Sequence, residues 1–272
     1  MNSAQSVGIV FDIGGTKTRI AKVEGDELAD IKSFDTPHTP EEGITLLVET
    51  AKKISKDFCI SAAVGDISGI VKDGTLHRAP HLPLWNGTAL ASLLRGAFDA
   101  PVTLFNDAEL VALGEYFYGA GKGENNMLYV TVSTGVGGAH VVQGKIRRGT
   151  YNIELGHQLV NGEELENLIS GTAVQKKYGV APKDFDDEQT LAHLADVLAQ
   201  GLYNSVLNSF PEVIVLGGSM IVGQNAIPLE RVQKTLSSLV KKYYPTAPRI
   251  TMARLGSDGG LYGGLAYLQH AV

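Results

Sequence analysis

The chain has 272 residues, of which 44% are hydrophobic and 19% charged; it exceeds the usual single domain of roughly 100 to 150 residues and has the apolar content of a packed interior. Disorder is thereby excluded. A net charge of −6 offers no electrostatic footprint for nucleic acid or for an anionic membrane surface.

One cysteine, Cys59, excludes an internal disulfide and a cysteine-rich metal site, and its apolar setting DFCISAAV predicts a buried side chain. The start MNSAQSVGIVFDIGG lacks the basic-then-apolar build of a secretory leader, and no run approaches ~18 continuous apolar residues. A cytoplasmic protein is expected. Glycine is enriched, with 32 residues, many of them in pairs between apolar runs.

In chain order, VGIVFD at 7–12 predicts a strand that stops at Gly14-Gly15-Thr16, and TRIAKV at 18–23 restarts an alternating pattern up to Glu24-Gly25-Asp26. This is a glycine-tipped hairpin. Apolar residues at 44, 47, 48, 51 and 54 predict a helix over 41–57, and ISAAV at 60–64 predicts a strand. A loop with Pro80, Pro83 and Trp85 leads to a helix at 88–97, a strand at 102–105 and a helix at 107–117. MLYVTVSTGVGGAHVVQGKI at 127–146 repeats the opening hairpin, so the chain reads as two similar lobes. Helices near 164–178, 188–208 and 227–242, strands at 213–219 and 249–253, and a glycine-entered closing helix complete the pattern.

The Asp12-x-Gly14-Gly15-Thr16 tip offers backbone N–H groups unobstructed by Cβ atoms, suited to phosphate oxygens, with Thr16 and Lys17 as further donors and Asp12 free to hold hydrated Mg²⁺. Tight turns whose glycines supply positive φ are the alternative. Neither a Walker A pattern nor a dinucleotide fingerprint is present, because both tips return into strands. Asp107, where an apolar strand meets a helix, suits a general base or a helix N-cap. Glu154-Leu155-Gly156-His157 pairs a carboxylate with an imidazole, suited to hydroxyl groups. His77, His81, His140, His193 and His270 form no cluster in the sequence and read as surface or locally bonded side chains.

The ordered set FDIGGTKTRIAKV, APHLPLW, FNDAELVALGEYFYGAG, VSTGVGGAHVVQGKIRRG, ELGH, ENLISGTAV, VIVLGGSM and LGSDGGLYGGLAYL resembles the ROK family of bacterial sugar kinases and sugar-sensing repressors from end to end. The resemblance implies an α/β, two-lobed, actin-like ATPase (ribonuclease H-like) fold with an ATP and sugar cleft between the lobes. Residues 1–107 with 259–272 would form the N-terminal lobe and 108–258 the C-terminal lobe. It implies Asp107 as the base toward a sugar hydroxyl, Asn106, Glu154, His157 and Glu166 on the other hydroxyls, and Ser68-Gly69 closing over the ring. Asp12, Gly14, Gly15, Thr16 and Lys17 would meet Mg²⁺ and the terminal phosphates, Asp12 through water. Thr134 and Gly135 would meet the second phosphate side, and Gly217 and Gly218 the adenosine.

Family members commonly bind zinc through the His of Glu-x-Gly-His and three cysteines that follow it. Here only Gln158 to Leu165 separate His157 from Glu166, without a cysteine, so no zinc site is expected. Ile153 stands where the family usually has Gly, which bears on the sugar pocket. With the first hairpin starting at Val7, the DNA-binding segment of the family's repressors is not expected here. The implied protein is an ATP- and Mg²⁺-dependent hexose kinase and a homodimer. Glucose is the first substrate; N-acetylmannosamine, N-acetylglucosamine, mannose, allose and fructose stay open, as do polyphosphate as donor and an inactive sugar sensor.

Overall fold

The computed structural model describes residues 6–270; the first residues of the chain, read above as carrying no leader, lie outside the described residues. The chain forms two compact units. One comprises the chain up to Phe117, Arg148–Asn152 and the chain from Ser257 onward; the other comprises Tyr118–Arg147 and Ile153–Gly256.

In the first unit β1 (Ser6–Ile13), β2 (Lys17–Glu24) and β3 (Glu27–Asp35) form an antiparallel meander. Helix α1 (Pro40–Ser55) follows, capped by Thr39, whose hydroxyl accepts the Glu42 N–H, with Pro40 at the first turn and Lys52 and Lys53 in the last. Its buried Leu47, Ala51 and Ile54 recur at helical spacing, each larger aliphatic side chain contributing about 1.5–3 kcal/mol of burial. Gly43 is needed inside this helix because a Cβ there would lie 2.3 Å from the Trp85 ring. The unit continues through β4 (Cys59–Ile67), the small hairpin β5 (Ile70–Lys72) and β6 (Thr75–Arg78), α2 (Leu90–Phe98), β7 (Val102–Asn106) and α3 (Asp107–Phe117). The main sheet runs β3-β2-β1-β4-β7. β1, β4 and β7 are parallel and mostly buried, β4 from Ala63 onward, which explains their apolar runs.

The second unit contains β8 (Asn126–Val132), β9 (Val136–Val142), β10 (Lys145–Ile146), the short pair β11 (Leu159–Val160) and β12 (Glu163–Glu164), and α4 (Leu165–Ile169). Then come α5 (Gly171–Tyr178), α6 (Glu188–Ser209), β13 (Val213–Gly217), α7 (Ser219–Val222), α8 (Leu229–Val240) and β14 (Arg249–Met252). Its sheet runs β10-β9-β8-β13-β14, with antiparallel pairs on one side and parallel pairs on the other. This is the topology of the first sheet, so the repeated hairpin in the sequence marks a repeated unit. The chain then returns to the first unit as α9 (Gly259–His270).

Several expectations are corrected. The helix expected over 164–178 is two helices, because Ser170 is extended (φ −67°, ψ 159°) and its hydroxyl caps α5 by accepting the Ala173 N–H. α3 belongs to the first unit, beyond the boundary expected at 107, because it packs directly on α9; Gly259 and Gly263 of α9 face Val111 and Leu110 with no room for a Cβ. The segment Arg148–Asn152 also belongs to the first unit. Cys59 is exposed, since it opens β4 where alternate positions 59 and 61 face solvent. Of the two readings of His140, surface or bonded, the bonded one holds: it is buried with its Nε2 2.5 Å from Asn126 Oδ1, and burial holds its pKa below the usual value. Among the described residues no helix is long and apolar enough to cross a membrane.

Candidate active site

In the first unit three aspartates gather where the parallel strands end. Asp12 and Asp66 are register partners on β1 and β4, and Asp107 opens α3 directly after β7. Asp66 is wholly buried and neither of its oxygens meets a conventional donor. Two ionised carboxylates have only acceptors, so a hydrogen bond between Asp66 and Asp12 requires a shared proton. Burial first, then the charges of Asp12 and Asp107, push the Asp66 pKa well above the usual carboxylate range. Burial likewise raises Asp12 and Asp107. Arg19 lies across the hairpin from Asp12, 3.4 Å from its Oδ2, and holds that carboxylate down in part. The start of α9 closes over the pair, since a Cβ at Gly260 would lie 2.6 Å from Asp66 Oδ2 and 3.3 Å from Asp12 Cβ; the positive end of the helix dipole offsets some of the repulsion.

Asp107 Oδ1 accepts the Ala108 N–H at 2.9 Å. Asn106 completes the elbow: its Oδ1 accepts the Ala108 N–H at 3.0 Å and its Nδ2 donates to the Gly69 carbonyl at 2.9 Å. Cap and acid are thus neighbouring residues, with Asn106 supplying much of the capping. Gly69 has φ +151° and a Cβ there would lie 2.3 Å from the Arg78 carbonyl, so the Ser68-Gly69 loop is fixed close to the elbow.

The first tip is built differently from a left-handed turn. Neither Gly14 nor Gly15 has a positive φ. Close approach explains them: a Cβ on Gly15 would lie 2.6 Å from His81 Cβ, and one on Gly14 3.0 Å from the Lys17 carbonyl. Thr36, which the sequence did not single out, braces the tip by donating its hydroxyl to the Gly14 carbonyl at 2.8 Å and its N–H to the Thr16 carbonyl at 2.9 Å. Lys17 pairs with Asp35 at 2.6 Å on the surface, an exposed ion pair that a phosphate can displace at little cost.

In the second unit the Ser133-Thr134-Gly135 tip is held by α5: the Gly171 N–H donates to the Ser133 carbonyl at 2.7 Å, and the Thr172 hydroxyl to the Thr134 carbonyl at 2.7 Å. Glu166 joins this tip, its Oε2 accepting the Val136 N–H at 2.7 Å, and a Cβ on Gly135 would lie 2.5 Å from that oxygen. Gly217 and Gly218 also come to it, since Gly218 (φ +90°) packs 2.3 Å from the Val132 carbonyl at its Cβ position and Ser219 Oγ lies 3.2 Å from Ser133 Oγ. His157 is exposed; its Nδ1 lies 3.1 Å from Glu164 Oε2 and its Nε2 4.0 Å from Glu154 Oε2. Glu164 was not foreseen. The second unit therefore gathers Thr134, Gly135, Glu166, Gly217 and Gly218 at one tip and Glu154 with His157 in the adjoining loop.

Among the described residues no group of three or more His, Cys, Asp or Glu side chains is arranged to hold a metal ion on its own. Mg²⁺ does not need one, because it keeps several waters and is bound through one or two carboxylates and substrate phosphates. Asp12, partly exposed beside an orphaned buried carboxylate, fits that requirement.

One prediction follows from Asp66. The unfolded chain ionises this acid near its ordinary pKa, while the folded chain keeps it protonated to higher pH. Stability is therefore unaffected below the unfolded pKa and is lost as pH rises towards the folded value. Asp66→Asn, which removes the ionisation, is expected to stabilise the protein at pH ~7.5 by on the order of 1 kcal/mol or more, the linkage cost of keeping protonated in the fold an acid that the unfolded chain ionises, and to have little effect near pH ~4. Thermal melts of both proteins at the two pH values check this; equal shifts at both would contradict it.

The ROK family model matches residues 8–271. The chain is 30% identical to a fructokinase of Zymomonas mobilis, over 93% of each chain. The ROK hexokinase of Thermus thermophilus superposes with a TM-score of 0.86 at 29% identity, covering 97% of this chain and 99% of that one. The inorganic polyphosphate/ATP-glucomannokinase of Arthrobacter superposes with a TM-score of 0.71 at 25% identity over 98% of this chain and 100% of that one. The fold is the α/β, actin-like ATPase fold that the motifs implied. With the match running through both glycine tips, the Asn106-Asp107 elbow and the closing helix, this chain belongs to the ROK family.

Proposed function

We propose that the chain is a cytoplasmic, homodimeric kinase that moves the terminal phosphoryl group of ATP to a hydroxyl of a hexose, with glucose as first substrate. The observation that carries the reading is the placement of Asp107: its carboxylate is oriented by the Ala108 N–H, partly buried where β7 meets α3, and raised in pKa by burial towards the range useful for a general base. Its second oxygen, Oδ2, is the one proposed to take the hydroxyl proton. The similarity to a fructokinase and to a hexokinase supports sugar as acceptor, and the glucomannokinase supports glucose and leaves polyphosphate as a second donor. Fructose, N-acetylmannosamine and N-acetylglucosamine are the alternative acceptors.

In this mechanism Asp107 orients and deprotonates the attacking hydroxyl. Asn106, Glu154, His157 and Glu166 fix the remaining hydroxyls, and Ser68-Gly69 covers the ring. The N–H groups at Gly14, Gly15 and Thr16, with Lys17, hold the terminal phosphates; Thr134 and Gly135 hold the second phosphate side, and Gly217 and Gly218 the adenosine. Mg²⁺, held through water by Asp12, supplies charge neutralisation on the phosphates when bound. Phosphoryl transfer needs little more from a protein than such positioning, field and exclusion of water.

The test is ADP release over a panel of hexoses and N-acetylhexosamines, with ATP and with inorganic polyphosphate as donors. Sugar-dependent turnover is the expected result. Sugar binding without turnover would favour the inactive sensor, and ADP release independent of sugar would overturn the kinase. Purified protein is also expected to carry no stoichiometric zinc and to keep its melting temperature in a chelator, because His157 has no thiolate companions; elemental analysis showing one zinc per chain would contradict this.

A further inference from the structure

Glu109 and Arg148 stand outside every role assigned so far, yet they grip the residues that carry Asp107. Glu109 is 3% exposed on the first turn of α3. Its Oε1 accepts Arg148 Nε at 2.7 Å and its Oε2 accepts Arg148 Nη2 at 2.5 Å, a bidentate pair. Glu109 Oε2 also accepts the Asn106 N–H at 3.2 Å. The Arg148 guanidinium lies 4.6 Å from the centre of the Phe105 ring, which also packs edge-on against Tyr267 at 5.1 Å. Phe105, Asn106 and Asp107 are consecutive, so one ion pair fixes the ring before the elbow and the peptide N–H within it.

Arg148 reaches this position because the short segment Arg148–Asn152 belongs to the first unit while the chain on both sides of it belongs to the second. Tyr151 of the same segment packs on Lys72, whose Nζ lies 4.8 Å from the ring centre. The Glu109 bond to the Asn106 N–H is the returning half of a capping box; a cap alone does not call for the bidentate pairing of that carboxylate with Arg148 or for the guanidinium over Phe105. What the pair adds is a fixed orientation of the Phe105–Asn106 peptide, one residue before Asp107.

The geometry points to Glu109 and Arg148 as a positioning pair that sets the orientation of the Asp107 carboxylate for phosphoryl transfer. The inference rests on Asp107 being the base. A carboxylate displaced by a fraction of an ångström still meets a bound sugar but no longer lies on the line of proton transfer, so the loss falls on kcat. Removing Arg148 alone also leaves a buried, uncompensated carboxylate, and the double variant Glu109→Gln, Arg148→Met removes that strain while leaving the elbow without its bidentate brace.

The experiment measures kcat, KM, sugar dissociation constant and melting temperature for Arg148→Met, Arg148→Lys, Glu109→Gln, the double variant and Asp107→Asn, using the preferred sugar. Arg148→Met is expected to lower kcat by about ten- to a hundredfold with the sugar dissociation constant within about threefold. Arg148→Lys should restore part of kcat, since it returns the charge without the planar fork. The double variant should melt near the wild type and still show the reduced kcat, a loss no larger than that of Arg148→Met. Wild-type kcat in Arg148→Met and Glu109→Gln, with Asp107→Asn inactive, would overturn the pair and leave the base assignment standing. A kcat that recovers with stability in the double variant would also overturn it. Full turnover in Asp107→Asn would overturn the base assignment itself and the pair with it.

Discussion

Asp107→Asn is expected to lower the rate of phosphoryl transfer by about 10²- to 10⁴-fold, the usual loss for a general base, while the sugar still binds within a few-fold of the wild-type affinity. The amide is nearly isosteric and its oxygen can still accept the Ala108 N–H that Asp107 Oδ1 accepts at 2.9 Å. It cannot take a proton. Folding should be preserved, because Asn106 also caps α3 and because removing one of three neighbouring carboxylates relieves a repulsion that adds to burial in raising Asp12 and Asp66. Steady-state rates together with calorimetric sugar binding check the prediction. Near wild-type turnover would reduce Asp107 to a residue that ends a strand and starts a helix.

Gly263→Ala is expected to cost about 3 kcal/mol or more, at or beyond the upper end of overpacking. A Cβ there would lie 1.7 Å from the Leu110 carbonyl oxygen and 2.9 Å from Leu110 Cγ. The obstacle is backbone in the middle of α3 and cannot swing aside. On the other side Gly264 is pressed against Val10, 2.8 Å from its Cγ1 at the Cβ position, so α9 has no free direction in which to move. Gly96→Ala supplies the opposite sign: it lies inside α2 with nothing within 4 Å of a new Cβ, and is expected to stabilise by up to about 1 kcal/mol through helix propensity. Melting temperatures of the two variants check both; a Gly263→Ala protein as stable as the wild type would contradict the close α3–α9 packing.

The parts legible in the sequence were those with local periodicity or local punctuation. The hairpins β1–β2 and β8–β9 announced themselves by alternation around glycine tips, and α1 by its apolar spacing. β3 was missed because it is an edge strand, most of whose side chains face solvent and carry no apolar rhythm. Asp66 had a readable signal, a lone carboxylate inside the apolar run AAVGDI, but its burial against Asp12 depends on pairing of strands far apart in sequence. The Thr36 brace, the Glu166 bond to Val136 and the Glu109–Arg148 pair have no local signature, since each joins residues 22 to 39 positions apart.

Phosphorus NMR of the wild-type protein with ATP, Mg²⁺ and the preferred hexose tests the central claim most directly, because it follows where the phosphoryl group goes. The account predicts a sugar phosphomonoester accumulating in equal amount with ADP, with inorganic phosphate staying at the level seen without enzyme. Inorganic phosphate accumulating with ADP while the sugar remains unmodified would contradict transfer to a sugar hydroxyl and leave a nucleotide hydrolase in its place.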